Sequence, residues 1–199
     1  NEGLTMNTRD KILNSIAGNQ PELVPLPTIN LDQLICYEDN YTQFKIVLEA
    51  IGGKVELISD IAVLKQQFVD EKAKGKLVIN TSSEIGFVDE MAFKLPVAEL
   101  EKLEKVYIKG TLGVAENGAV WLYEKNMGKR LLPFICQHLV IVIDKKDIVT
   151  TLHHAYQRID VAKEGFGVFI AGPSKTADIE QSLVIGAHGA RTATIYVVE

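Results

Sequence analysis

Three short segments carry residue types that could do chemistry. The first runs Gly172-Pro173-Ser174-Lys175-Thr176-Ala177-Asp178-Ile179-Glu180. The Lys175 ammonium and the Ser174 and Thr176 hydroxyls suit a carboxylate or phosphate, because hydrogen bonds to an ionised partner are the strong ones. Read as the entry to a helix over 177–185, the segment adds outward-facing amides and the positive end of a helix dipole. A plain structural role fits the same letters, with Ser174 or Thr176 capping that helix. Asp178 and Glu180 diverge on a helix and form no catalytic pair, so Asp178 reads as an acceptor at the site mouth or a partner for Arg191. The glycine and lysine spacing is not that of a Walker loop.

The second segment is Gly186-Ala187-His188-Gly189-Ala190-Arg191. Glycines on both sides of His188 favour a tight turn that presents His188 and Arg191. Histidine titrates near neutrality, which makes His188 a candidate acid, base or donor; a solvent-facing turn is the alternative. The third segment, Gly113-Val114-Ala115-Glu116-Asn117-Gly118-Ala119-Val120, places Glu116 beside an Asn-Gly pair, the strongest short hairpin signal. Glu116 is a candidate nucleophile or base if the tip folds over the ligand loop, and otherwise a solvated carboxylate. His138 opens an apolar strand, as a candidate catalytic group or as a satisfied structural histidine. His153 and His154 point apart on a helix and are expected at the surface, not as a metal pair. No metal site is expected.

The elements that must position these residues follow from periodicity. The spacing predicts an N-terminal helix over 8–17, then a proline-rich linker over 21–27. Domain boundaries are expected at 1–35 for this extension and 36–199 for the main domain. Phe44, Val47, Leu48 and Ile51 mark a helix ended by Gly52-Gly53. A strand over 54–58, a helix over 60–74 capped by Asp60, a strand over 77–80, a short helix near 95–103 and a strand over 106–108 follow. A hairpin joins 112–115 to 119–123. A strand over 138–143, a helix over 145–160 capped by Asp144 and burying Ile148, Leu152, Tyr156 and Ile159, a strand over 167–171 and a strand over 194–198 complete the pattern. Short apolar runs alternating with helices imply a mainly parallel sheet in a three-layer α/β/α domain.

Composition narrows the partners. With 47% hydrophobic and 24% charged residues the chain is an ordinary globular one. A formal charge of −5 with interspersed signs argues against nucleic acid, which needs a basic face. No apolar run is long enough to span a bilayer. Cys36 and Cys136 form no C-x-x-C pair, so no iron–sulfur or zinc framework is expected, and both read as buried, inert thiols. A reducing, cytoplasmic setting fits that usage. The first ten residues lack the apolar core of a signal peptide, and Met6 is a candidate natural start.

Together and in order, residues 113–120, 130–138, 172–180 and 186–189 resemble the LUD domain family, which includes the lactate-utilisation protein C group. The resemblance covers most of the chain from about Tyr41 onward and is strongest over its final third. It implies a fold like that of the glucosamine-phosphate isomerase, ribose-phosphate isomerase and CoA-transferase superfamily, and a role in oxidising L-lactate to pyruvate. It also implies iron–sulfur partner proteins, with no cofactor held by this chain. Ala190 stands where the family usually has proline, and Glu116-Asn117-Gly118-Ala119 replaces a Glu-Thr-Gly-Thr pattern. Ala115-Glu116-Asn117-Gly118-Ala119-Val120 is similar to the Ser-Glu-Asn-Gly motif of CoA transferases, which implies Glu116 as a nucleophile toward acyl-CoA.

The resulting expectation is an accessory component that binds a small anionic metabolite. Glu116, His138 and His188 are candidate catalytic groups. Asn117, Gly118, Gly172, Ser174, Lys175, Thr176, Asp178, Gly189 and Arg191 are candidate ligand contacts. A purely structural module, docking through the N-terminal helix, and self-association both stay open.

Overall fold

The computed structural model describes residues 7–90, 92–179 and 182–199, which divide into two compact units, Asn1–Asp32 and Gln33–Glu199. The smaller unit carries α1 (Thr8–Gly18), whose first turn is capped by the Asn7 side chain accepting from the Asp10 amide at 2.8 Å.

In the larger unit, α2 (Asn40–Ala50) leads to β1 (Lys54–Ile58), α3 (Ala62–Ala73), β2 (Val78–Asn80), α4 (Val97–Leu100) and β3 (Lys105–Lys109). The hairpin of β4 (Leu112–Val114) and β5 (Ala119–Tyr123) follows, then α5 (Glu124–Met127), α6 (Leu132–Ile135) and β6 (His138–Asp144). Next come β7 (Ile148–Val149), α7 (Leu152–Arg158), α8 (Val161–Glu164) and β8 (Gly167–Ile170). β9 (Lys175–Ile179) and β10 (Ser182–Ile185) precede β11 (Thr192–Val198).

Five strands form a parallel sheet in the order β1-β11-β6-β3-β2. Residues 139–143 of β6 are all buried, as a strand covered on both faces requires. On one face Leu64 and Phe68 of α3 pack on Tyr107, Val140 and Val142. On the other, Phe44 and Leu48 of α2, with Leu100, Met127 and Leu132, pack on Val106, Ile108, Leu139 and Ile141. The three-layer α/β/α reading therefore holds.

A second sheet, β7-β4-β5-β8, takes the hairpin and more. Its period-two alternation buries both faces: Val120 and Leu122 join the core under α2, while Trp121 and Tyr123 pack with Ala155 of α7. The strand expected over 167–171 belongs here, antiparallel to β5.

Two helices expected from the sequence are corrected. The one over 145–160 is interrupted, because Ile148 and Val149 pair with Gly113 and Val114 of β4, leaving only α7 as helix. Ile148 is buried as expected, but Tyr156 is exposed. The helix over 177–185 does not form: β9 and β10 make an antiparallel hairpin with a register shift. β-branched Thr176, Ile179, Val184 and Ile185 favour extended backbone over a helical turn. No helix dipole stands behind the Lys175 loop. Glu180 lies outside the described residues. Cys136 is buried, but Cys36 is exposed, against the expectation for both.

Candidate ligand-binding site

After β8 the chain turns back at Gly172 and runs under the 186–191 turn. Ser174 is the point of attachment. Its amide donates to the Ala190 carbonyl and its carbonyl accepts from the Gly186 amide, each at 2.9 Å. The Arg191 amide donates to the Gln137 carbonyl at 2.8 Å, fixing the turn to the residue before β6. Gly189 is needed for the close approach, since a Cβ there would lie 3.0 Å from Ser174 Cβ. Gly186 adopts a φ of 75°, where a side chain would also meet Arg191 Cα at 2.9 Å.

These two loops share a cavity of about 330 Å³. Ser174, Lys175, His188 and Gly189 supply its polar wall, and Phe134, Leu139, Phe169 and Ile170 its apolar floor. The described lining includes no carboxylate, so Lys175 gives the hollow a positive balance. Such a wall and floor together suit a small amphiphilic anion, with hydrogen-bond donors from Lys175, Ser174 and His188. The cavity lies where β6 and β11 begin, not at the carboxyl ends of parallel strands where ligands usually settle in α/β folds.

Of the residues singled out from the sequence, Gly172, Ser174, Lys175, His188 and Gly189 line this one cavity. Arg191 is exposed and absent from the described lining. Thr176 lies one residue further along β9, opposite Val184. Asp178 is in β9, and its side chain lies outside the described residues.

Glu116, Asn117 and Gly118 sit elsewhere. Glu116 is half-buried, and its Oε1 accepts the Leu152 amide at 2.7 Å, capping α7. Its own amide donates to the Thr150 carbonyl at 3.1 Å. Asn117 Oδ1 accepts from the Ala119 amide at 3.0 Å, and Gly118 packs against Leu48 of α2. The tip is thus seated between two helices and does not project over the ligand loop.

His138 lines a different cavity, of about 200 Å³, on the other face of the sheet. There Nδ1 lies 2.8 Å from Thr192 Oγ1 and Nε2 lies 3.9 Å from Glu104 Oε1. A hydrogen bond from Lys76 at 2.6 Å holds the Glu104 carboxyl below the usual carboxylate range. His153 is exposed, while His154 is half-buried with Nδ1 2.9 Å from Thr151 Oγ1. Among the described residues, no group of three or more His, Cys, Asp and Glu could hold a metal, and no helix is long and apolar enough to cross a membrane.

Sequence reasoning missed the apolar floor. Phe134, Phe169 and Ile170 read as ordinary core letters, and only the tertiary fold brings α6 and β8 to the cavity that Lys175 lines. The one available signal was the proximity of residues 131–134 to His138 in the family-like stretch.

Residues 98–198 match the LUD domain family. Lactate utilization protein C of Geobacillus kaustophilus (strain HTA426) is 34% identical over 91 residues, covering 43% of this chain and 38% of that protein. The match thus spans well under half the length of that relative. Lactate utilization protein C of Oceanobacillus iheyensis is 24% identical over 236 residues, covering 98% of this chain and 100% of that protein. A crystal structure of a DUF162 family protein from Deinococcus radiodurans superposes with a TM-score of 0.58 at 19% identity, covering 80% of this chain and 96% of that one. At that identity the likeness concerns the fold.

Proposed function

We propose that this chain, which belongs to the LUD domain family, is a component of L-lactate utilisation that binds a small carboxylate in the Lys175–His188 cavity. One observation carries the reading: the two loops on either side of β9 and β10 are stitched together through Ser174 and present a lysine, a histidine and a hydroxyl to one hollow whose described lining has no acid. The relatives, each a lactate utilization protein C, support the metabolic setting.

In this reading the Lys175 ammonium takes the carboxylate, and Ser174 Oγ and the His188 ring bind the neighbouring oxygen. The apolar floor receives the carbon chain of the acid and keeps bulk water from part of the ligand. Iron–sulfur partner proteins would supply the electron acceptor for the oxidation, and this chain binds and orients the acid. Calorimetric titration of the full chain with L-lactate and pyruvate tests the proposal. Saturable binding that Lys175→Ala weakens supports it; heats no different from buffer for both acids remove it.

A further inference from the structure

A second cavity of about 390 Å³ adjoins the first: Phe134, His188 and Gly189 line both, and Leu131, Ile135 and Glu101 line only the second. Phe134 is 42% exposed and faces both chambers. The first chamber alone has room for about ten water-sized volumes, at ~30 Å³ each. A three-carbon acid has too few atoms to fill it, and once its carboxylate is held at Lys175 its methyl group covers only a small part of the floor.

Resting on the carboxylate reading above, we infer that the acid bound here carries an apolar tail longer than methyl. The carboxylate and the adjacent oxygen stay at Lys175, Ser174 and His188, and the tail crosses Phe134 toward Leu131 and Ile135. The ligand class is a 2-hydroxy or 2-oxo acid with an aliphatic side chain of several carbons. Glu101, in the lining of the second chamber, disfavours a second carboxylate there, so monocarboxylates are preferred over dicarboxylates. Burying each added methylene against these side chains strengthens binding about fourfold.

Titration of the native full chain with L-lactate, 2-hydroxybutyrate and 2-hydroxyhexanoate tests this. The single tryptophan, Trp121, whose ring lies 4.7 Å from that of the floor residue Phe169, offers an optical reporter beside calorimetry. Affinity is expected to rise with each methylene, to a total of roughly sixtyfold across the series. Phe134→Ala, at a half-exposed position, should flatten that rise. A series that is level or falls with length while lactate still binds overturns the inference and leaves the carboxylate site standing. Failure of all three acids to bind overturns both.

Discussion

The Ser174 amide and the Ala190 carbonyl, 2.9 Å apart, join the loop after β8 to the residue that leads into β11. The second sheet and the parallel sheet thereby share one wall, and the ligand cavity is the space left beneath that joint. An alanine suffices at 190 because its role is to offer a carbonyl; its side chain is buried at 5% exposure.

The joint depends on the turn that carries it. Gly186→Ala places a Cβ 2.9 Å from Arg191 Cα at a left-handed φ of 75°. A loss of about 2 kcal/mol is expected, from the left-handed penalty and the clash together. Urea unfolding monitored by circular dichroism checks this. The same variant should bind lactate more weakly, because the strained turn moves the residue 186 amide away from the Ser174 carbonyl.

Lys175 and Arg191 separate two versions of the site. Lys175 lines the cavity and Arg191 does not. Lys175→Ala should therefore weaken carboxylate binding by roughly five- to 150-fold, the range of a lost charge-assisted hydrogen bond of about 1–3 kcal/mol. Arg191→Ala should have a clearly smaller effect. Equal losses in paired titrations would place the anion nearer the 186–191 turn.

Glu116 caps α7 through the Leu152 amide at 2.7 Å. Glu116→Ala should cost about 1 kcal/mol, as loss of an N-terminal cap does. Glu116→Gln keeps an acceptor oxygen and should recover part of the loss in the same thermal melts. A covalent adduct on Glu116 after incubation with acyl-CoA, seen by mass spectrometry, would contradict this structural role.

The two cysteines should differ sharply in reactivity. Burial pushes the Cys136 thiol up to about 12, so it stays protonated at neutral pH. Cys36 is exposed. A chromogenic disulfide reagent should titrate one thiol per native chain and both once urea is added.

Asp39 gives the fold an acid limit. The Thr42 hydroxyl, and the Thr42 and Tyr41 amides, hold its carboxyl below the usual range and cap α2. A carboxyl lowered on folding contributes stability above its ordinary pKa, and that contribution is lost as pH falls from there through its lowered value in the fold. Asp39→Asn can still cap, so its deficit should be visible at pH 7 and shrink below about pH 4. A deficit independent of pH would mean the charge contributes nothing.

The sequence by itself determined the local matters. The apolar runs at 54–58, 106–108 and 138–143 became parallel strands, the last two largely buried, Asn117-Gly118 became a turn, and the glycines around His188 became a tight one. These depend on backbone preferences and burial period, which each segment carries within itself. Tertiary structure decided the rest. Residues 148–149 look helical beside their neighbours, yet they leave the helix because β4 offers open hydrogen-bonding groups. β9 and β10 pair antiparallel, which removed the helix dipole from the anion site while leaving Lys175 at the cavity. Glu116 and His138, both legible as reactive types, lie outside that cavity because strand order and register set where a side chain goes. Sequence fixes which groups are available; the pairing of distant strands fixes which of them meet.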